Sequence, residues 1–191
     1  FFHNTYERDV EVIDLPLDQC PAANECAAPI GGHLDGCRIG FDAGGSDRKV
    51  SAVIDGETVF SEEVVWLPKI NPDPDYHYAG IVEALKKAAS YMPRVDAVGV
   101  SSAGVYINNR TMRASLFLQV PKDDFDKKVK DIYIRAIHDT FGDVPYAVAN
   151  DGDVSALAGT MSLEDNNVLG IAMGTSEAVG YVDPNGCITG W

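Results

Sequence analysis

The sequence predicts an α/β fold: a mixed five-stranded sheet with helices on both faces, followed by the first hairpin of an incomplete second lobe. Three observations predict it. The chain opens its regular part with three strand-like runs joined by tight turns, and strands then alternate with amphipathic helices. A new strand–glycine turn–strand unit begins near residue 168 and stops at Trp191, with nothing left to complete its sheet. The 191 residues, 46% of them hydrophobic, suffice for a core of ordinary size.

Residues 1–36 show no sustained period, end in the loop-like stretch PAANECAAPIGGHLDG, and read as an N-terminal extension. Residues 37–45, CRIGFDAGG, form a short apolar strand running into glycines. The run KVSAVIDGETVFSEEVVW holds two strands joined at Asp55-Gly56, a hairpin signal because that pair tolerates positive φ. The first helix is capped by Asp73 or Asp75, carries Pro74 in its first turn and is stopped by Pro93. Ile81, Leu85, Ala88 and Met92 step by three or four along its buried face.

An apolar strand over residues 95–104 follows, then a looping segment over 105–121. The second helix starts at Asp123 or Asp124, buries Phe125, Val129, Ile132, Ala136 and Ile137, and ends at Gly142. VPYAVAND is the fifth strand, and DGDVSALAGTMS a third helix with Val154, Leu157, Ala158 and Met161 on one side. The division that results is an extension (1–36), a first lobe (37–165) and the start of a second lobe (166–191).

Charge narrows the function classes. Fifteen Lys and Arg face 29 Asp and Glu, a net charge of −14. Binding to a nucleic-acid backbone or an anionic membrane draws on clustered basic residues, so neither partner is expected. A phosphorylated small molecule stays open, because only the local field of a pocket matters to it. Cys20, Cys26, Cys37 and Cys187 form no C-x-x-C pair, which argues against a zinc site inside this chain. No run approaches the ~18 apolar residues of a membrane helix. The acidic opening FFHNTYERDVEV lacks the pattern of a signal peptide, so a soluble cytoplasmic protein is expected.

Three clusters at the ends of expected strands carry chemistry. Asp42-Ala43-Gly44-Gly45-Ser46 brings glycines that admit an anion close to the backbone, a hydroxyl for a phosphate oxygen, and a carboxylate for hydrated Mg²⁺. The same residues also suit a plain hairpin turn. In Asn150-Asp151-Gly152-Asp153, Asp151 is either a helix cap or a general base taking a proton from an attacking hydroxyl. Gly174-Thr175-Ser176, in the last hairpin, is either a second phosphate holder or another turn. Together, two glycine hairpins with an acid between them make sense of ATP clamped in a cleft between two lobes.

On these residues the chain resembles the actin-like ATPase and sugar kinase superfamily with a ribonuclease H-like fold. IGFDAGGSDRKVSAVIDG resembles its phosphate-1 hairpin, VPYAVANDGDVSALAG its connecting strand and helix, and VLGIAMGTSEAVGYV its phosphate-2 hairpin. The Asn-Asp pair ahead of a small-residue helix is most similar to ROK sugar kinases and bacterial glucokinases, over about residues 37–183. The resemblance implies ATP and Mg²⁺ as cofactors, with Asp42, Gly44, Gly45 and Ser46 at one hairpin and Gly174, Thr175 and Ser176 at the other. Asp42 would hold the metal. It implies a hexose or N-acetylhexosamine as small-molecule substrate and Asp151 as the base that activates its hydroxyl. Asn150, Asp151, Ser115 and Asn108 are its candidate sugar contacts, with Asn109 beside them. A homodimer of the full-length protein is compatible with it.

The sequence also departs from the ROK pattern. Ser176-Glu177-Ala178-Val179-Gly180 stands where a run of glycines follows the phosphate-2 threonine, and Ala114-Ser115-Leu116-Phe117 where an Asn precedes a Leu. The family's zinc-binding cysteines and adenosine-binding segment are expected beyond Trp191, so the 191-residue chain alone is expected to be inactive. Residues 1–36 show no helix-turn-helix of the kind ROK repressors carry. Two competing readings keep the fold: a regulatory ATPase acting on a protein partner, and a nucleotide-free binding module.

Overall fold

A computed structural model describes residues 2–22, 26–173 and 177–190. The elements run α1 (Phe2–Tyr6), β1 (Cys26–Ala28), β2 (Cys37–Ala43), β3 (Asp47–Ile54), β4 (Glu57–Val65), α2 (Pro74–Ala89) and β5 (Ala97–Ser102). They continue with β6 (Val105–Ile107), β7 (Arg110–Arg113), α3 (Lys122–Asp124), α4 (Ile132–Phe141), β8 (Tyr146–Asn150), α5 (Asp151–Leu163), β9 (Val168–Met173), β10 (Glu177–Val182) and β11 (Ile188–Gly190).

The five-stranded sheet has the order β4-β3-β2-β5-β8, antiparallel across β4, β3 and β2 and parallel across β2, β5 and β8. The β3–β4 turn carries Asp55 at φ 48° and Gly56 at φ 85°, the conformation the sequence signalled. Alternation buries Cys37, Ile39, Phe41 and Ala43 of β2 on one face, with Val98 and Val100 of β5 beside them. α2 and α4 cover that face with Ile81, Leu85 and Ala88, and with Ile132, Tyr133, Ala136 and Ile137. Each large side chain buried there contributes about 1.5–3 kcal/mol of transfer free energy.

Several sequence expectations are corrected. α2 ends at Ala89 and not at Pro93; Met92 stays buried on a turn in which Met92 N–H donates to Ala89 O at 3.1 Å. The segment over 105–121 is not simply a loop. It contains the β6–β7 hairpin, turned by Asn108 at φ 52° and Asn109 at φ 64°, and a 3₁₀ turn over Ser115–Phe117. The second helix begins at Lys122, runs as a π-helix over Phe125–Val129 and restarts at Ile132. Gly142 ends it at φ 72°, as expected.

α5 keeps Val154, Leu157, Ala158 and Met161 on one side, as the sequence predicts, but that side lies outside the buried core and Met161 is 47% exposed. The buried positions are Gly152 and Ala156, which face β9 and β10. A Cβ on Gly152 would stand 2.7 Å from the Val179 backbone, and one on Gly170 or Gly180 would run into the backbone of α5. Hydrophobic periodicity cannot register a helix that approaches its sheet through glycines. Its apolar side instead borders a cavity of about 770 Å³, together with the sheet face that carries Gly40, Ser51, Gly99 and Ala147.

The second sheet has four strands in the order β1-β11-β10-β9. The N-terminal arm therefore contributes an edge strand, with Ala28 opposite Ile188. α1 lies at the other end of the arm, where Glu7 accepts from Lys130 Nζ at 2.8 Å.

Candidate functional site

The parallel strands β2, β5 and β8 end side by side. Asp42 is registered with Ser101, and Ser102 lies between Ala43 and Asn150. With strands about 4.8 Å apart, two steps separate the ends of β2 and β8 by about 10 Å. Polar residues gathered outside the carboxyl ends of parallel strands are the usual place for a ligand in an open α/β sheet.

At the β2–β3 end, Gly44, Gly45 and Ser46 make the turn. Trp66 holds it twice: indole Nε1–H donates to Gly44 O at 2.8 Å, and the Trp66 N–H donates to Ser46 O at 3.1 Å. A Cβ on Gly44 would stand 2.7 Å from Asp47 O, so the turn itself requires glycine there. Ser46 Oγ donates inward to Asp47 Oδ2 at 3.0 Å, and Lys49 Nζ meets Asp47 Oδ1 at 2.5 Å. That hydrogen bond from Lys49 holds the Asp47 carboxyl below its ordinary pKa. Asp42 is the half-buried carboxylate at the end of β2.

At the β8–α5 junction the cap is Asn150, in place of Asp151. Asn150 Oδ1 accepts from Gly152 N–H at 2.8 Å, and Nδ2 donates to Gly104 O at 2.9 Å. Asp151 becomes the first residue of a 13-residue helix, where the positive end of the helix dipole favours a carboxylate. Its Oδ1 is buried and has no hydrogen-bond partner among the described residues. Asp153, one step further, has its carboxyl pKa raised by burial and then by the Asp151 charge. Beneath this edge, Tyr133 Oη donates to Ser102 Oγ at 3.0 Å. Burial pushes the Tyr133 phenol up to about 12 and raises that of Tyr106 well above its usual value.

The structure thus brings Asp42, Gly44, Gly45, Ser46, Asn150 and Asp151 to one edge. Gly174, Thr175 and Ser176 lie outside the described residues. Asn108 is exposed in the β6–β7 turn, and Asn109 Oδ1 is committed to Val148 N–H at 2.8 Å. Ser115 opens the 3₁₀ turn, and no hydrogen bond among the described residues joins it or Asn108 to Asp151. Sequence reasoning missed Trp66, Ser102, Tyr106 and Tyr133. They reach the edge from separate segments, with no local signal apart from the rarity of tryptophan.

One feature fits the phosphates of a nucleotide: the Lys69 ammonium, set against Gly45 with no hydrogen-bond partner among the described residues. Among the described residues no group of three or more His, Cys, Asp or Glu could hold a metal ion. Mg²⁺ suits such a site, since it keeps several waters and needs only one or two carboxylates besides phosphate.

No family model and no curated protein matches the chain. Solved structures do. An inorganic polyphosphate/ATP-glucomannokinase from Arthrobacter sp. strain KM superimposes with a TM-score of 0.62 at 19% identity, covering 82% of this chain and 62% of that one. A ROK hexokinase from Thermus thermophilus gives 0.59 at 16% identity, over 79% of this chain and 47% of that one. A ROK-family transcriptional regulator, a homologue of the E. coli MLC protein, gives 0.60 at 17% identity, over 81% and 38%. The chain therefore shares its fold with these sugar kinases and with this ROK regulator. The chain spans between 38% and 62% of the length of these three proteins. No helix among the described residues is long and apolar enough to cross a membrane.

Proposed function

We propose that the protein of which this chain forms at least a part phosphorylates a hydroxyl group of a hexose or N-acetylhexosamine, with ATP as donor and Mg²⁺ as cofactor. The observation that carries the reading is Asp151 Oδ1, buried and without a hydrogen-bond partner among the described residues, at the N-terminus of α5 on the same edge as the glycine hairpin. A buried carboxylate oxygen without a donor costs free energy unless a ligand supplies one. A sugar hydroxyl is such a donor. Asp151 takes its proton as the hydroxyl oxygen attacks, the role of a general base. Asn150 keeps the carboxylate on the site by fixing the first turn of α5 to the Gly104 loop.

ATP, when bound, would supply the phosphoryl group, and Mg²⁺ would neutralise charge on its oxygens. In this reading Asp42 would hold that metal through water, and Gly44, Gly45 and Ser46 would receive the phosphates. The work of the chain is positioning and electrostatics, as in phosphoryl transfer generally.

The test is ADP release with ATP-Mg²⁺ and a panel of sugars, run on this chain and on any continuation its reading frame encodes. Asp151→Asn is expected to keep nucleotide binding and lose transfer by ~10²-fold or more. Turnover unchanged by Asp151→Asn removes Asp151 from the mechanism. ADP release indifferent to every sugar replaces the kinase with a regulatory ATPase.

A further inference from the structure

Lys69 stands apart from the other basic residues at the candidate site. It lies in the 3₁₀ turn Pro68–Ile70 that follows β4, which Trp66 ties to the hairpin through Gly44 and Ser46. A Cβ on Gly45 would sit 2.7 Å from Lys69 Nζ and 2.5 Å from its Cε, so the ammonium occupies the space that a side chain at residue 45 would fill. Neither a carboxylate nor any other hydrogen-bond partner holds it among the described residues.

The charges around it sharpen the point. Lys49, the other lysine of the hairpin, is taken up by Asp47 at 2.5 Å and Glu63 at 3.8 Å. The Ser46 hydroxyl is turned toward Asp47. Asp42 and Asp47 leave the turn negative, and the whole chain carries −14. Any anion approaching Gly44 and Gly45 meets repulsion unless a free cation stands at the turn, and Lys69, unlike Lys49, has no carboxylate partner among the described residues. An unpaired, half-buried ammonium beside a glycine surface is chemistry for a phosphate group.

We propose that Lys69 is the cationic contact for the phosphate tail of the donor, completing an anion site with the Gly44–Gly45 turn. The inference rests on the proposed kinase reading and names a residue for its donor site. The ligand class is a chain of phosphoryl groups, which a nucleoside triphosphate and an inorganic polyphosphate both present.

The experiment is calorimetric titration of the whole chain with ATP-Mg²⁺ and, separately, with tripolyphosphate-Mg²⁺. Wild type, Lys69→Ala, Lys69→Arg and Asp151→Asn are compared, with circular dichroism to verify that each is folded. Lys69→Ala is expected to weaken both ligands about tenfold or more, the scale of a charge-assisted contact. It should also flatten the dependence of affinity on salt, and Lys69→Arg should recover most of the loss. Asp151→Asn should bind as wild type does. A loss for ATP alone, with tripolyphosphate unaffected, places Lys69 against the nucleoside and overturns the proposal. Undiminished affinity of Lys69→Ala overturns it too, and leaves the kinase reading intact. Failure of the wild type to bind either ligand overturns the proposal, and the kinase reading is then decided by ADP release from the longest form the reading frame encodes.

Discussion

Replacing Trp66 with Phe tests how the candidate hairpin is held. Trp66 is 4% exposed and gives its indole proton to Gly44 O at 2.8 Å, across 22 residues of sequence. Phenylalanine keeps the ring against the core and loses that donor, at a cost of about 1 kcal/mol for a net hydrogen bond. The smaller ring leaves a void of about 40 Å³, which at ~24 cal/mol per Å³ adds about 1 kcal/mol. The sum is about 2 kcal/mol, or a fall in Tm of about 5 °C for a chain of this size. The assay is urea unfolding followed by far-ultraviolet circular dichroism, since the substitution removes one of two tryptophans. Trp66→Phe should also weaken whatever the Gly44–Gly45 turn binds. A loss below about 0.5 kcal/mol, within the range of an ordinary surface change, refutes the claim that this bond anchors the turn.

Two further outcomes follow from packing and protonation. Gly180→Ala places a methyl group against the backbone of Asp153 and Gly152, which cannot rotate away; a destabilisation of about 3 kcal/mol is expected by urea titration, and a neutral result would mean that α5 does not rest on β10. His77 is buried against Trp66 and Phe117, with Nε2 bonded to Asn71 O at 3.1 Å and Nδ1 without a hydrogen-bond partner among the described residues. Burial holds its pKa below the usual 6.5, so the imidazole is neutral in the folded chain and the unfolded chain binds the proton first. The stability it contributes is complete above the unfolded value and is lost as pH falls through the folded one. Between about pH 7.5 and 5 the urea midpoint of the wild type should fall more steeply than that of His77→Phe, and parallel slopes would contradict the assignment.

What the sequence made legible depended on whether the determining interaction was local. Asp55-Gly56 announces its hairpin because positive φ is a property of those two residues. Asn108-Asn109 carries a similar signal, but strands of three and four residues are too short to show a period beside it. Asp42 and Asp151 were legible as polar residues closing apolar strands. The capping role of Asn150 was not, because Asn and Asp cap equally well and only the 2.8 Å bond to Gly152 N–H decides between them. Trp66, Lys69 and Tyr133 reach the edge through contacts far from it in sequence, so their local surroundings carried no sign of the site.

α5 shows why the candidate base could be found while its support could not. The helix touches β5 and β8 of the first sheet and β9 and β10 of the second, so it has two contact faces. Only the face lined by Val154, Leu157 and Met161 has a hydrophobic period, and that face borders the cavity. The other works by subtraction: Gly152, Gly170 and Gly180 remove side chains so that backbones meet. Asp151 opens this helix beside Gly152, its orientation set from β8 and the Gly104 loop through Asn150. A shift of β10 against the first sheet must therefore move α5 or break its contact, and either result changes where the Asp151 carboxylate stands. In the proposed kinase, any movement of Asp151 between substrate binding and product release would run through these glycines.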